Sequence, residues 1–464
     1  MTETARVEKM NTNNSRSSNA AMNPISNAFS KQLSSSCAGK CCYALIIILN
    51  LARWIDLNGL WIELPLMVQA TPEKWALPST LALTMSLANI FPLIIIVLRC
   101  WLRNRFTEIP FMYVIIVVGI FACMAIGFGW KITMFVLGDE RSICLIISVF
   151  LLAILDSSST LVFTDYMKRF HPSYLTAMFF GEGLTSVVPT LLALLQGVGG
   201  EITCRRNNSL TDQFEPLYSE PRFSVSILFF ILSSIITCSL IAFLILRWTS
   251  IVYVADALQK LTTNSYISDD NEMFLVNGGL KTPKQNADLS TKQFFLLLFL
   301  CIINASFILG ILPSLITYAL LPYGQKAFYY CVILGPLAYP LAACLNAKVP
   351  TVTTTIIVFG CIIGCLGCIY IVIIAFQSPC PIMSDTVHGG IIMIGIWLVS
   401  SFILGYIYMA SANRIKRSWK RTSGLFWLGV AEQLGTCLGV IPMYLVINTF
   451  KLLKDRQPCQ TYCL

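Results

Sequence analysis

Arg53, Asp56, Asn58 and Glu63 sit close together in a stretch whose other residues are apolar, R-W-I-D-L-N-G-L-W-I-E-L-P-L-M-V from Arg53 to Val68. These side chains bind hydroxyls, amides or protons, yet a carboxylate at the centre of a bilayer costs roughly 2.5–3.5 kcal/mol. Similar groups recur in other apolar runs: Asn89; Asp156, which opens D-S-S-S-T; Glu182 and Thr185; Asn304, Ser314, Thr317 and Tyr318; Glu432 and Gln433. The chemistry they suit is recognition rather than bond cleavage. His171 and His388 fall in predicted loops, and no Ser/His/Asp set or HExxH spacing lies in an apolar run. An enzyme is therefore not expected. Nor do Cys and His cluster at ligand spacing, so neither a metal site nor a cofactor is expected.

Spacing assigns provisional roles. Arg53 and Asp56 at i,i+3 can form a structural ion pair. Glu63 has no cation nearby in sequence and needs a partner from another helix, a proton or a ligand. Pro65 lacks an N–H and frees the carbonyl of Trp61, while Gly59 allows close approach. The segment N-A-S-F-I-L-G-I-L-P-S from Asn304 repeats the device, with Pro313 freeing the Leu309 carbonyl beside Gly310. Interrupted helices at corresponding places in two halves point to a midplane site. Glu182 lies between Gly181 and Gly183, which suits either helix packing or access to the carboxylate. The hydroxyls after Asp156 can shield it by bonding back along their helix. Glu432-Gln433, between Gly429 and Gly435, is open to both readings.

These residues need elements to hold them. The 464-residue chain is 56% hydrophobic and 12% charged, with a mean hydropathy of +0.73, whereas soluble domains are about 25% charged. Apolar runs of membrane-crossing length recur at about 43–68, 77–98, 111–129, 142–163, 175–195, 223–246, 293–319, 328–347, 350–374, 390–409 and 425–449. They are continuous rather than alternating, which predicts an all-α polytopic membrane protein of about eleven transmembrane helices and excludes a barrel. Residues 1–41 read as a disordered cytoplasmic tail, 42–246 as a six-helix bundle, 247–291 as a cytoplasmic linker, 292–450 as a five-helix bundle and 451–464 as an extracellular tail. Lys and Arg are roughly twofold enriched in the segments that are then inner, which predicts an inside N-terminus and an outside C-terminus. The net charge of +9 is thus topological and implies no nucleic-acid partner. The sequon at Asn207 falls in an outer loop, where glycosylation can occur. Cys204, Cys380, Cys459 and Cys463 also fall outside, where a bridge from the Cys380 loop to the C-terminal tail is plausible.

The run around Asn58 carries N-G-L-W-I-E-L-P, followed from Pro72 by P-E-K-W-A-L-P-S. Here the sequence resembles the eukaryotic riboflavin transporter family. Similar blocks include Leu155-Asp156, Phe179 to Leu184 with Pro189 and Gln196-Gly197, Gly310 to Ser314 with Tyr318, Leu321 to Gly324, Ser378 to Pro381, and Gln433 to Gly435. The resemblance implies riboflavin uptake across the plasma membrane without nucleotide hydrolysis, in a two-bundle fold like that of facilitator and nucleoside transporters. It also implies pairing of Cys380 with Cys459, with Cys463 as the alternative partner. Riboflavin joins a flat ring with amide-like edges to a polyol, so its site needs an aromatic face, amides and carboxylates. Asn58, Trp61, Glu63, Asn89 and Glu182 from the first half, with Asn304, Ser314, Tyr318 and Gln433 from the second, are the expected contacts. Glu63 and Glu182 are candidate proton-binding groups. The competing expectations are a nucleoside carrier, whose substrates also join a flat heterocycle to a polyol, and a multi-span receptor.

Overall fold

A computed structural model describes residues 37–456 except 103–106, 137, 168–169, 171–173, 198–202, 207–213, 218–219, 250–288, 350–351, 385 and 419–423. The helices of the first half are α1 (Cys37–Leu51), α2 (Ile55–Ala70), α3 (Leu77–Ala88), α4 (Ile90–Leu102), α5 (Ile109–Gly129), α6 (Ile143–Met167), α7 (Leu175–Gln196) and α8 (Val225–Trp248). Those of the second are α9 (Thr291–Ala305), α10 (Leu312–Leu320), α11 (Gln325–Leu334), α12 (Ala338–Lys348), α13 (Thr354–Phe376), α14 (Val387–Ser418) and α15 (Gly424–Tyr444). Among the described residues ten helices are long and apolar enough to cross a membrane, or eleven when the two-part first span counts as one. The protein is an all-α multi-span membrane protein.

Two short antiparallel hairpins join helices, Met134–Val136 with Asp139–Arg141 and Thr203–Arg206 with Phe214–Leu217. Their three- and four-residue strands are too short for alternation to show in sequence. His388, expected in a loop, is instead the second residue of α14 and exposed, while His171 lies outside the described residues.

The chain packs into two compact units. The smaller takes in the described residues of Met1–Asn50, Thr164–Gly181 and Cys238–Lys284. There Gly181 lies against the Ile47 carbonyl and Asn50, and Ser239 Oγ donates to the Ile48 carbonyl at 2.6 Å. Tyr166, Phe170, Tyr174 and Phe243 add a chain of edge-on ring contacts.

The larger unit takes in Leu51–Phe163, Glu182–Thr237 and the described residues of Gln285–Leu464. In lipid there is little hydrophobic drive between helices, so close backbone approach at small residues must hold them. Gly435 and Gly439 on α15 sit on the carbonyls of Ile302 and Ser306, and Gly310 meets the Gly439 backbone. Gly360, Gly364 and Gly367 on α13 receive Ile407, Leu404 and Ser400 of α14. A neighbouring face of α13 leaves Ile356, Phe359, Ile363, Leu366 and Ile373 exposed, a stripe that only hydrocarbon solvates well. Beyond α2, both Glu73 carboxylate oxygens accept from Ser142, from its N–H at 2.7 Å and its hydroxyl at 2.8 Å. This ties the segment after α2 to the start of α6.

The interruption of the first span is not where Pro65 placed it. The helical ladder gives way to turns over residues 52–54, and α2 then runs unbroken through the buried Pro65. Gly59 has a packing role: a Cβ there would stand 2.4 Å from Leu232 Cδ1 of α8. The second interruption does form. Between α9 and α10 the ladder widens to a π-helix over Ser306–Ile311, immediately before Leu312-Pro313, as expected where Pro leaves a preceding carbonyl without its N–H.

The backbone contact at Gly439 sets a test. Gly439→Leu should cost about 3 kcal/mol or more, because the atoms it meets are main chain and cannot repack. Gly429→Leu, where a Cβ meets nothing within 4 Å, should leave thermal stability in detergent unchanged.

Candidate functional site

Helices α2 and α7 run side by side with polar groups at successive levels. Arg53, just before α2, is 2% exposed, and its Nη1 lies 3.0 Å from Glu182 Oε2. The expected Arg53–Asp56 pair does not form. The turn at 52–54 aims the guanidinium across to α7, where a carboxylate from another helix offers an ion pair that i,i+3 geometry does not. Further along, Asn58 Nδ2 donates to the Thr185 carbonyl at 3.1 Å and lies 3.4 Å from Thr185 Oγ1 and 3.5 Å from Ser186 Oγ. The Gln196 amide then stands beside Glu63 but donates to the Phe223 carbonyl at 3.0 Å. Both oxygens of Glu63, which is 1% exposed, are left without a donor among the described residues.

The second half supplies a matching acid. Glu432 on α15 accepts from the Tyr408 hydroxyl of α14 at 2.6 Å, and the neighbouring Gln433 keeps its side-chain oxygen buried and without a donor among the described residues. Tyr339 on α12 stands within electrostatic reach of Arg53, Glu182 and Glu432 together, and its side chain is half-exposed. A Cβ on Gly183, next to Glu182, would meet nothing within 4 Å. Two carboxylates, two phenols, a guanidinium paired with Glu182 and an amide are thus linked by their electrostatic reach to Tyr339. Carboxylates here accept from hydroxyls, phenols donate and accept, and the Tyr339 ring offers a flat apolar face.

A second locus lies at the Trp75 end, where the two halves close on each other through neutral hydrogen bonds. Thr317 Oγ1 donates to the Trp75 carbonyl at 2.6 Å, and the rings of Trp75 and Tyr318 meet edge-on at 5.6 Å. Gln325 Nε2 donates to the Pro65 carbonyl (3.3 Å) and the Tyr329 hydroxyl to the Ala193 carbonyl (3.1 Å). Asn448 Nδ2 donates to Ser79 Oγ at 2.6 Å. Glu63 is buried behind this closure, near Tyr329.

The expected contact residues therefore divide. Asn58 and Glu182 share the α2·α7 seam, Gln433 adjoins Glu432, Tyr318 belongs to the closure and Glu63 lies behind it. Asn304 Nδ2 is spent on the Leu404 carbonyl at 2.7 Å, and Ser314 Oγ on the Gly310 carbonyl at 2.8 Å. Trp61 is half-buried on α2, and Asn89 is half-buried at the break between α3 and α4. Sequence reasoning passed over Tyr339 and Tyr408, although a buried Tyr hydroxyl needs a partner. Counting tyrosines in spans as polar residues would have found them.

Cys380 is disulfide-bonded. Ser378 Oγ donates to the Lys454 carbonyl at 2.8 Å, which brings the start of the C-terminal tail to the turn before Cys380. Cys459, Cys463 and Asn207 lie outside the described residues.

A model of the family described as "Solute carrier family 52, riboflavin transporter" matches residues 40–455. The zebrafish (Danio rerio) protein "Solute carrier family 52, riboflavin transporter, member 3-A" is 31% identical over 451 residues, covering 91% of this chain and 98% of its own. The human member 3 is 29% identical over 469 residues, covering 91% and 98%. The crystal structure of a bacterial homologue of the human lysosomal transporter Spinster superposes at a TM-score of 0.49, with 14% identity over 88% of this chain and 82% of that one. From the N-G-L-W-I-E-L-P run to the last span, the chain belongs to the solute carrier family 52 riboflavin transporters.

Proposed function

We propose that the protein carries riboflavin into the cell across the plasma membrane by alternating access, with substrate held around Tyr339. The observation that carries this reading is that Glu182 from the first half and Glu432 from the second both act electrostatically on one half-exposed tyrosine, Tyr339. Each acid is already oriented, Glu182 by Arg53 and Glu432 by Tyr408. The flat ring of riboflavin suits the Tyr339 face and its polyol suits the two acids. Asn58 and Gln433 supply amides for the edge of the ring system. A neutral substrate needs no net charge from the site, and Arg53 already offsets Glu182.

In this reading the N-terminus is cytoplasmic, two helical bundles of six and five spans rock about the site, and the Trp75 end faces outside. The closure there then shuts the outer mouth, and Glu63 and Glu182 are the acids available to protons along the path. Cys380 pairs with Cys459 in the outer tail, and Asn207 carries glycan on the outer loop.

Two measurements test it. Glu432→Gln keeps an acceptor for Tyr408 but weakens a charge-assisted bond to substrate. The KM for labelled riboflavin should rise about tenfold, the equivalent of about 1.4 kcal/mol, at unchanged surface expression. Unlabelled riboflavin should compete for this uptake and uridine should not; competition by uridine alone would identify a nucleoside carrier. At the closure, Gln325→Ala removes about 1 kcal/mol and should raise the open population about fivefold. The readout is the rate at which an impermeant maleimide labels a cysteine placed at Gln196, compared with the same cysteine alone.

A further inference from the structure

The first half brings a second pair of acids into contact, and the substrate reading makes no use of them. Asp56 on α2 is 0% exposed and Asp156 on α6 is 1% exposed. Their carboxyl groups stand within hydrogen-bond reach of each other. Asp56 Oδ1 accepts the Leu57 N–H at 2.9 Å, while Asp56 Oδ2 and both Asp156 oxygens have no donor from any other described residue. The hydroxyls that follow Asp156 do not fill the gap. Ser159 donates to the Asp156 main-chain carbonyl at 2.9 Å, Ser157 lies 3.5 Å from that of Ile154, and Ser158 Oγ is buried and unpartnered.

Among the described residues the surroundings of the pair contain one cation. Arg53, one turn before Asp56, acts electrostatically on Asp156 while its Nη1 holds Glu182 of α7, and its buried Nε has no acceptor among the described residues. From α5 the fully buried Cys123 thiol faces both aspartates. From α8, Leu228 and Leu232 pack over Gly59 and contribute no charge. Two carboxyl groups within hydrogen-bond reach can bond to each other only while one carries a proton, and burial disfavours two adjacent anions.

We propose that Asp56 and Asp156 jointly hold one exchangeable proton, and that losing it draws Arg53 away from Glu182. In the bound state one O–H···O⁻ bond joins the carboxyl groups and carries a single negative charge. Release breaks that O–H bond, sends the proton to water and leaves two carboxylates. The added charge acts electrostatically on Arg53, whose Nε has no acceptor among the described residues, and competes with Glu182 for the guanidinium. Glu182 is then freed to change partners. Proton binding stands on the aspartates alone; its link to transport rests on the substrate reading above.

The test is a pH-difference infrared spectrum of the purified full-length chain, from mildly acidic to mildly alkaline, alongside Asp156→Asn and Asp56→Asn. The two single isosteric changes are made separately so that one well-folded variant, judged by a monodisperse elution profile, is enough. The wild type should show the C=O stretch of a protonated carboxylic acid that titrates away, and a folded variant should lose it. The same variant should flatten the pH profile of riboflavin uptake. A wild type without such a band, or a band unchanged in a folded variant, overturns the proton site. A lost band with an unchanged uptake profile overturns the link through Arg53. Quenching of riboflavin fluorescence on binding to the same samples reports separately on the substrate reading, so the two cannot fail indistinguishably.

Discussion

A guanidinium that cannot be deprotonated is buried in the first span, and it must keep a negative charge within reach. Glu182 meets that demand at 3.0 Å, and much of the first half is arranged around the contact. The helical ladder gives way over residues 52–54, where Arg53 turns to α7. Asp56, one turn on, is left to face α6 instead of its helical neighbour. Asn58 and Glu63 then follow along the same seam, and Tyr339 of the second half stands within electrostatic reach of the pair. Leaving Arg53 buried and unpartnered would cost about 3–5 kcal/mol, so Glu182 can change partners only if another anion takes its place.

The contacts that hold elements together are of two kinds, and the difference matters for movement. Within the second half, Gly435 and Gly439 lie directly on main-chain atoms of α9 and the π-helix, contacts that leave no room to slide. Between the halves at the Trp75 end, neutral side chains bond mostly to carbonyls: Thr317 to Trp75, Gln325 to Pro65, Tyr329 to Ala193. Each such bond is worth about 1 kcal/mol net. A closure built of several weak, separable bonds can reopen without uncovering an unpaired charge. One built on buried ion pairs could not.

The membrane architecture was legible in sequence because hydrocarbon imposes a length and a composition that every span must satisfy. The π-helix before Pro313 was legible for the same local reason, since a missing N–H acts wherever it occurs. Pro65 shows where that logic stops. It has the same missing donor, but the span breaks at the turn beside Arg53, whose position depends on Glu182 more than a hundred residues away. Partner choice was the part hidden from the sequence. Arg53 had an acid at i+3 and took another; Asn304 looked like a binding amide and is consumed by the Leu404 carbonyl. Tyr339 and Tyr408 were legible in principle, but their hydroxyls are easily overlooked among aromatic residues in apolar runs.

Hydrogen-bond satisfaction separates the polar residues of the spans more sharply than polarity does. Asn304, Ser314, Thr190 and Ser239 each give their donor to a main-chain carbonyl, and such groups explain themselves as internal fastenings. A buried acceptor with no donor costs about 1–3 kcal/mol, and more when charged. Among the described residues such acceptors occur on Asn50, Asp56, Glu63, Asp156, Asn346 and Gln433, unpaired hydroxyls on Thr71, Ser158 and Thr354, and orphan donors on Arg53 and Arg414. The carboxylates among them, Asp56, Glu63 and Asp156, all lie in the first half, on α2 and α6. A fold that merely needed to span the membrane would have replaced these side chains with apolar ones at a gain in stability. In the proposed carrier cycle a substrate hydroxyl, a proton or a rotated guanidinium would fill them in turn.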